Sequence, residues 1–333
     1  MMAEILVFFL GVSLFLYVLL GGADFGAGIV ELITGRKSVR TISKAIAPVW
    51  EANHIWIILV VVILFNGFPK VYTSISTYLH IPLLLALIGI IIRGTSFTFR
   101  YYDIPEKRIN EYYSKFFRYS SVLTPFFFGI VLGAVISGKI PATPEGTFFQ
   151  VYVYPWLNLF SVVTGIFVTL LFGWLASVFV FGETIDNETD KSRYLKTTYL
   201  FFVLLVFSGV LVFITAQFSH IDLLTRFLHS PISLGSLITA TILIPITWYY
   251  TRQSNIILMR LLAGMITICI LLGWFGIQLP VMVYISGGDD LTIRNSIAPT
   301  VTIKYLIYAL IFGILIIFPA IGYLYKAFKF KQT

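Results

Sequence analysis

Between Ser43 and Trp56 the chain reads SKAIAPVWEANHIW, which places an acid, an amide and an imidazole, Glu51, Asn53 and His54, within about two helical turns. The apolar run IILVVVILFNGF continues to Phe68, so the three groups stand at the mouth of a segment suited to hydrocarbon. Glu51 and His54 are three residues apart and share a helical face. Ionisable groups at membrane depth cost roughly 2.5–3.5 kcal/mol each on insertion scales and are read by default as functional. A carboxyl in such a place is suited to reversible protonation, and an imidazole one turn away can relay the proton or hydrogen-bond the acid. Two more charges lie inside apolar runs: Asp24, flanked by Gly22 and Gly26, and Arg93.

The elements that must hold these groups are membrane helices. Of 333 residues, 58% are hydrophobic and 11% charged, and mean hydropathy is +0.93. Soluble domains carry about 25% charged residues, so the composition predicts an all-α, polytopic integral membrane bundle forming one domain over residues 1–333. Nine apolar spans emerge, at about 5–34, 48–68, 76–99, 118–138, 153–182, 198–217, 231–250, 257–284 and 302–325, each near or above the roughly 20 residues that a crossing needs. The first, with Glu4 ahead of it and no basic lead, reads as a retained span rather than a cleaved signal. The single Cys269 excludes an internal disulfide.

Lys and Arg fall unevenly on alternate connections, 17 on one side and 5 on the other, with Arg93 inside a span. Basic loops face the cytoplasm, which predicts the N-terminus outside and the C-terminus inside. The net charge of +8 is therefore a topology signal and not a nucleic-acid signal. On this orientation Asp24 lies roughly 16 Å inside the cytoplasmic boundary and Arg93 about 10 Å inside it, at helical rise. Glu51 and His54 occupy the first turns of the second span. Four ionisable groups from three consecutive spans thus share the cytoplasmic half of the bilayer.

Plainer roles compete for each residue. Glu51 can serve as a first-turn acid that complements the helix dipole. Asp24 and Arg93 can form an ion pair that only neutralises two costly charges. His54 suits a hydrogen-bonded packing role better than a metal site. His80, His220 and His229 lie at the outer span ends, and Gly22 with Gly26 makes a small-xxx-small packing pair. Asn158 and Gln278 are candidates for interhelical hydrogen bonds. The Walker, GxGxxG, CxxC, CxxCH and HExxH patterns are absent, so nothing in the loops points to a nucleotide.

Three blocks then carry a resemblance: GGADFGAG at Gly21–Gly28, IAPVWEANHIW at Ile46–Trp56 and RGTSFTFRYYD at Arg93–Asp103. Their order and placement resemble the second subunit of cytochrome bd quinol oxidases. That family has an Asp-Gly-Phe-Asp-like turn ending span 1 and Ala-Pro-x-Trp-acid-x-Asn-x-x-Trp opening span 2. Two departures stand out: the first acid of the turn is replaced by Gly22 or Ala23, and Glu51 stands where Asp is common. The blocks cover the first third of the chain, and the remainder agrees in length, helix count and polarity.

The resemblance implies a terminal oxidase of the aerobic respiratory chain, in a bacterial or archaeal cytoplasmic membrane, passing electrons from ubiquinol or menaquinol to dioxygen. It implies haem b and haem d in a larger partner subunit, and leaves a small single-helix third subunit open. This chain would support that partner and contribute a proton path from the cytoplasm through Glu51, His54 and Asp24, with Arg93 as charge partner. Trp50 and Trp56 would line the partner interface. Independently, the four histidines offer no opposed pair at one depth. The rival is a proton-coupled secondary transporter, which would explain nine spans and buried charges but favours midplane sites and inverted repeats.

Overall fold

In the computed structural model the described residues are 2–35, 42, 50, 52–102, 107–182 and 188–329. Glu51 lies outside them. The chain opens with α1 (Met2–Leu16), a π-helical turn (Tyr17–Gly21) and α2 (Gly22–Thr34), together one long apolar rod. A 3₁₀ turn (Ala52–His54) leads into α3 (Ile55–Gly67). There the chain bends by 115° into α4 (Pro69–Tyr78), because Pro69 at the first helical position cannot donate back into α3. Next come α5 (His80–Tyr102), α6 (Lys107–Ser137), the short α7 (Phe148–Tyr152), α8 (Leu159–Phe181) and α9 (Glu188–Phe218). A further short helix, α10 (Leu223–His229), precedes α11 (Pro231–Arg252) and α12 (Ile256–Gln278). The last two are α13 (Ile293–Ser296) and α14 (Thr300–Lys329).

Among the described residues eight helices are long and apolar enough to cross a membrane, or nine if the bent α3–α4 pair counts as one span. Every predicted span has a counterpart, but several boundaries move. Helices α6 and α9 begin in charged sequence about ten residues before their apolar runs, since backbone hydrogen bonding does not stop where hydrocarbon does. The fifth span begins only at Leu159, because Asn158 turns its side chain back to accept from the Ser161 amide, 3.1 Å away, and caps α8. Gln278 likewise bonds locally, donating to the Met282 carbonyl at 2.8 Å. Neither residue makes the interhelical bond predicted for it. Beyond Gln278 the chain turns to short strands: β1 (Ile140–Pro141) pairs parallel with β3 (Ile285–Ser286), and β2 (Val281–Val283) antiparallel with β4 (Leu291–Thr292). These strands tie the loop after α6 to the loop after α12.

The main core gathers α2, α6, α8 and α9 around Phe25, Phe117, Phe172, Trp174 and Phe201. Close approach of α2 to its neighbours depends on missing side chains. A Cβ on Gly26 would lie 1.8 Å from the Phe172 carbonyl oxygen and 2.7 Å from the Ala176 Cβ, and one on Gly22 would lie 2.9 Å from the Phe172 ring. On another face of α2, a Cβ on Gly28 would meet the Ser121 Oγ of α6 at 2.1 Å. The small-residue pair read from the sequence therefore seats α2 directly on α8.

Substituting Gly26 tests that seat. Overpacking a close-packed core costs about 1–3 kcal/mol or more, so Gly26→Ala should lower the yield and thermal midpoint of detergent-extracted protein. Gly235 of α11 has nothing within 4 Å of its would-be Cβ, so Gly235→Ala should be neutral or mildly stabilising. Equal midpoints for the two variants would contradict the contact between α2 and α8.

Candidate functional site

The candidate site grows from the one charged residue that α2 carries near its start. Asp24 sits just past the π-helical turn, buried at 4% exposure, and faces α5. Arg93 of α5, at 1% exposure, donates from Nη2 to the Asp24 Oδ1 at 2.5 Å and to the Asp24 backbone carbonyl at 3.1 Å. Its guanidinium also lies over the Phe25 ring, 4.6 Å from the centroid, and 5.3 Å from that of Phe117. Two unlike charges inside an apolar bundle attract strongly only because little water screens them. The aromatic faces add a further attraction, worth about 2 kcal/mol when desolvated.

Seven residues further along both helices the arrangement repeats. Glu31 is fully buried, and Arg100 donates from Nη1 to both its carboxylate oxygens, at 3.0 and 2.8 Å. The Nε of Arg118 in α6 stands 3.8 Å from Glu31 Oε1 while donating to its own helix at the Ser114 carbonyl. The Arg100 guanidinium lies 4.2 Å from the Phe117 centroid, so one phenyl ring carries both arginines. Sequence reading counted Arg100 as a loop charge and passed over Glu31. The available signal was the shared spacing of seven in 24/31 and 93/100, two turns on each helix.

Towards the middle of the rod the column continues without formal charge. His54 ends the 3₁₀ turn before α3, and its ring lies between those of Tyr17, at 6.4 Å, and Phe25, at 5.9 Å. Asn53 donates from Nδ2 to the Leu20 carbonyl at 3.3 Å. Leu20 belongs to the π-helical turn, where backbone carbonyls lose their regular partners, and such turns concentrate at functional sites. The structure thus brings His54, Asp24 and Arg93 into one neighbourhood. Among the described residues, Tyr17 Oη, Asp24 Oδ2, His54 Nδ1 and Arg93 Nε are all buried without a hydrogen-bond partner.

The two tryptophans part company. Trp50 is half-buried and packs on Phe97, ring centres 5.4 Å apart, over the flat spot left by Gly94. Trp56 is buried at 3% exposure with its ring 5.9 Å from that of Phe318 in α14. Within this chain, its own last helix lies over it.

The described residues do not form a haem cradle. His80 and His229 engage Nδ1 with carbonyls of their own helices, at Thr77 and Thr225, and both are exposed. His220 is exposed as well, and His54 is hemmed by Tyr17 and Phe25. No group of three His, Cys, Asp or Glu among the described residues could hold a metal ion.

If Asp24 and Arg93 depend on one another, Asp24→Asn should strand the guanidinium and cost about 3–5 kcal/mol, read as lost assembly and a lower thermal midpoint. Asp24→Asn with Arg93→Met, which keeps apolar bulk between Phe25 and Phe117, should recover much of that loss. A double variant as damaged as the sum of its singles would show that the pair carries no coupling.

Comparison with known proteins now adds independent information. A family model described as cytochrome bd terminal oxidase subunit II matches residues 2–328. Cytochrome bd ubiquinol oxidase subunit 2 of Bacillus subtilis (strain 168) is 25% identical over 209 residues, covering 62% of this chain and 60% of that protein. Cytochrome bd-I ubiquinol oxidase subunit 2 of Escherichia coli (strain K12) is 26% identical over 166 residues, covering 47% and 42%. These matches thus span about three fifths or less of each relative's length. The fold is similar to a chain of the bd oxidase from Geobacillus thermodenitrificans, with a TM-score of 0.79 at 18% identity over 99% of both chains.

Proposed function

Since this chain belongs to the cytochrome bd terminal oxidase subunit II family, we propose that it is the second, haem-poor subunit of a quinol oxidase that reduces dioxygen to water in a respiratory chain. It works as a single integral domain of a multi-pass membrane protein. The membrane is the cytoplasmic one of a bacterium or archaeon, with the N-terminus outside and the C-terminus inside. The basic residues grouped on alternate loops support that orientation. Family membership sets aside the transporter reading.

The partner is a larger subunit that carries haem b and haem d, and a small single-helix subunit completes the complex in some assemblies of this kind. Membership of the subunit II family supports this division. Quinol and dioxygen are substrates of the complex, and ubiquinol and menaquinol both suit the chemistry. Lipid and the partner between them cover exposed apolar side chains such as Ile58, Phe65, Leu84 and Phe312.

This chain's chemical contribution is proton delivery. Reducing dioxygen to water consumes protons, and drawing them from the cytoplasm makes the reaction electrogenic. The observation that carries this reading is the buried polar column from Glu31 through Asp24 and Arg93 to His54, ending in polar atoms that lack partners among the described residues. Glu51 stands three residues before His54 and supplies the titratable entry; His54 and Asp24 continue the route, and Arg93 sets the local potential. The bound haems supply the oxygen chemistry itself in the partner.

Glu51→Gln keeps size and hydrogen bonding but removes protonation. It should leave haem spectrum and complex yield near the parent values while slowing quinol-driven oxygen uptake, measured per haem on an oxygen electrode. Glu51→Asp should retain part of the rate. A residue that serves only the helix dipole would instead cost about 0.3–1 kcal/mol of stability and leave turnover intact. A separate test addresses the division of labour: expressed without the larger subunit, the chain should be colourless. A stable, haem-loaded chain on its own would overturn the haem-poor assignment.

A further inference from the structure

We propose that Tyr17 is a further positioning residue of the proton route, its hydroxyl ordering a buried water cluster shared with Asp24 and His54. This rests on the reading of the Glu51 region as a proton entry and extends it deeper into the bundle. Tyr17 is 3% exposed and its hydroxyl has no protein partner among the described residues. An orphaned hydroxyl in an apolar core is unfavourable by about 1–3 kcal/mol, and one alone would be an isolated defect. Here it is one of four orphans among the described residues, each from a different element: Tyr17 of the π-helical turn, Asp24 of α2, His54 of the 3₁₀ turn and Arg93 of α5. Buried polar atoms grouped in this way are commonly joined by internal water making about three hydrogen bonds.

The ring is held so that its hydroxyl has a defined place. It meets Phe128 edge-on at 5.8 Å and lies beside His54, and a Cβ on Gly21 would come within 3.0 Å of it. Tyr17, Asp24 and Glu31 are spaced by seven, so the three polar side chains step along the rod over about 21 Å at helical rise. Tyr17 is the innermost member. A phenol both donates and accepts. It can take a proton from one water on its oxygen lone pair as its own proton leaves to the next water, so no charge remains on the ring and no electron moves. A phenylalanine of the same shape cannot.

The test is Tyr17→Phe in the assembled oxidase complex. Yield and visible spectrum should match the parent. The kcat for oxygen uptake should fall roughly five- to tenfold, the size of one hydrogen bond lost along the route, with quinol KM unchanged and a larger ratio of rates in H2O and D2O. A cryo-EM map that resolves internal water should show water within hydrogen-bond distance of the Tyr17 hydroxyl. If Glu51→Gln slows turnover while Tyr17→Phe leaves rate and isotope ratio at parent values, the route stands and Tyr17 is no part of it. If neither variant slows turnover, both readings fall. Should Tyr17→Phe assemble poorly, the parent map decides: a dry hydroxyl in a map with water elsewhere overturns the proposal.

Discussion

The ion pair between Asp24 and Arg93 is the constraint around which the first half of the bundle is arranged. Neither charge could remain in an apolar interior alone, because the cost of an unpaired buried ion exceeds what packing nearby could offset. Pairing demands that two helices hold a fixed register, and the second pair, Glu31 with Arg100, repeats that demand two turns away. Two rungs at equal spacing define both the rotation and the axial position of α5 against α2. A slip of one turn would strand all four charges at once. Phe117, reaching from α6 to both guanidinium groups, ties a third helix to the same register.

Glycines make that register sterically possible. Helix α2 must sit near enough to α5 and α6 for arginine side chains to reach its carboxylates, while α8 closes the other side. Gly26 lets the α8 backbone into contact, and Gly28 admits Ser121 of α6. The charge ladder and the small-residue faces are thus two halves of one solution, and the carboxylates and glycines of both lie within a dozen residues of Gly21.

Much of this was legible in the sequence, and the rest was hidden for physical reasons. Hydropathy located the spans because hydrocarbon demands runs of apolar residues, and Asp24 with Arg93 stood out because they interrupt such runs. Glu31 and Arg100 did not, since each lies near a span end where charge is ordinary; only contact between the two helices shows them buried. The contact of Trp56 with Phe318 of α14, some 260 residues later, was not legible, because apolar helices announce burial without naming what buries them. Tyr17 carried no signal at all. One tyrosine among nineteen becomes notable only when its hydroxyl is found enclosed with nothing to bond.

The π-helical turn ties the first rod to the residues of the proposed proton route. Widening the helix at Tyr17–Gly21 frees backbone carbonyls, and Asn53 takes up the one at Leu20. That bond fastens the start of α3 to the first rod at the level where Asp24, Tyr17 and His54 converge. Through this bond the 3₁₀ turn that carries His54 is anchored to the first rod. Beside that anchor, Tyr17 Oη, Asp24 Oδ2 and His54 Nδ1 are buried without hydrogen-bond partners among the described residues. A column in which every group found a protein partner would be a rigid strut, stable and inert. One whose inner end offers donors and acceptors without protein partners among the described residues suits bound water, and the proposed proton route depends on water there.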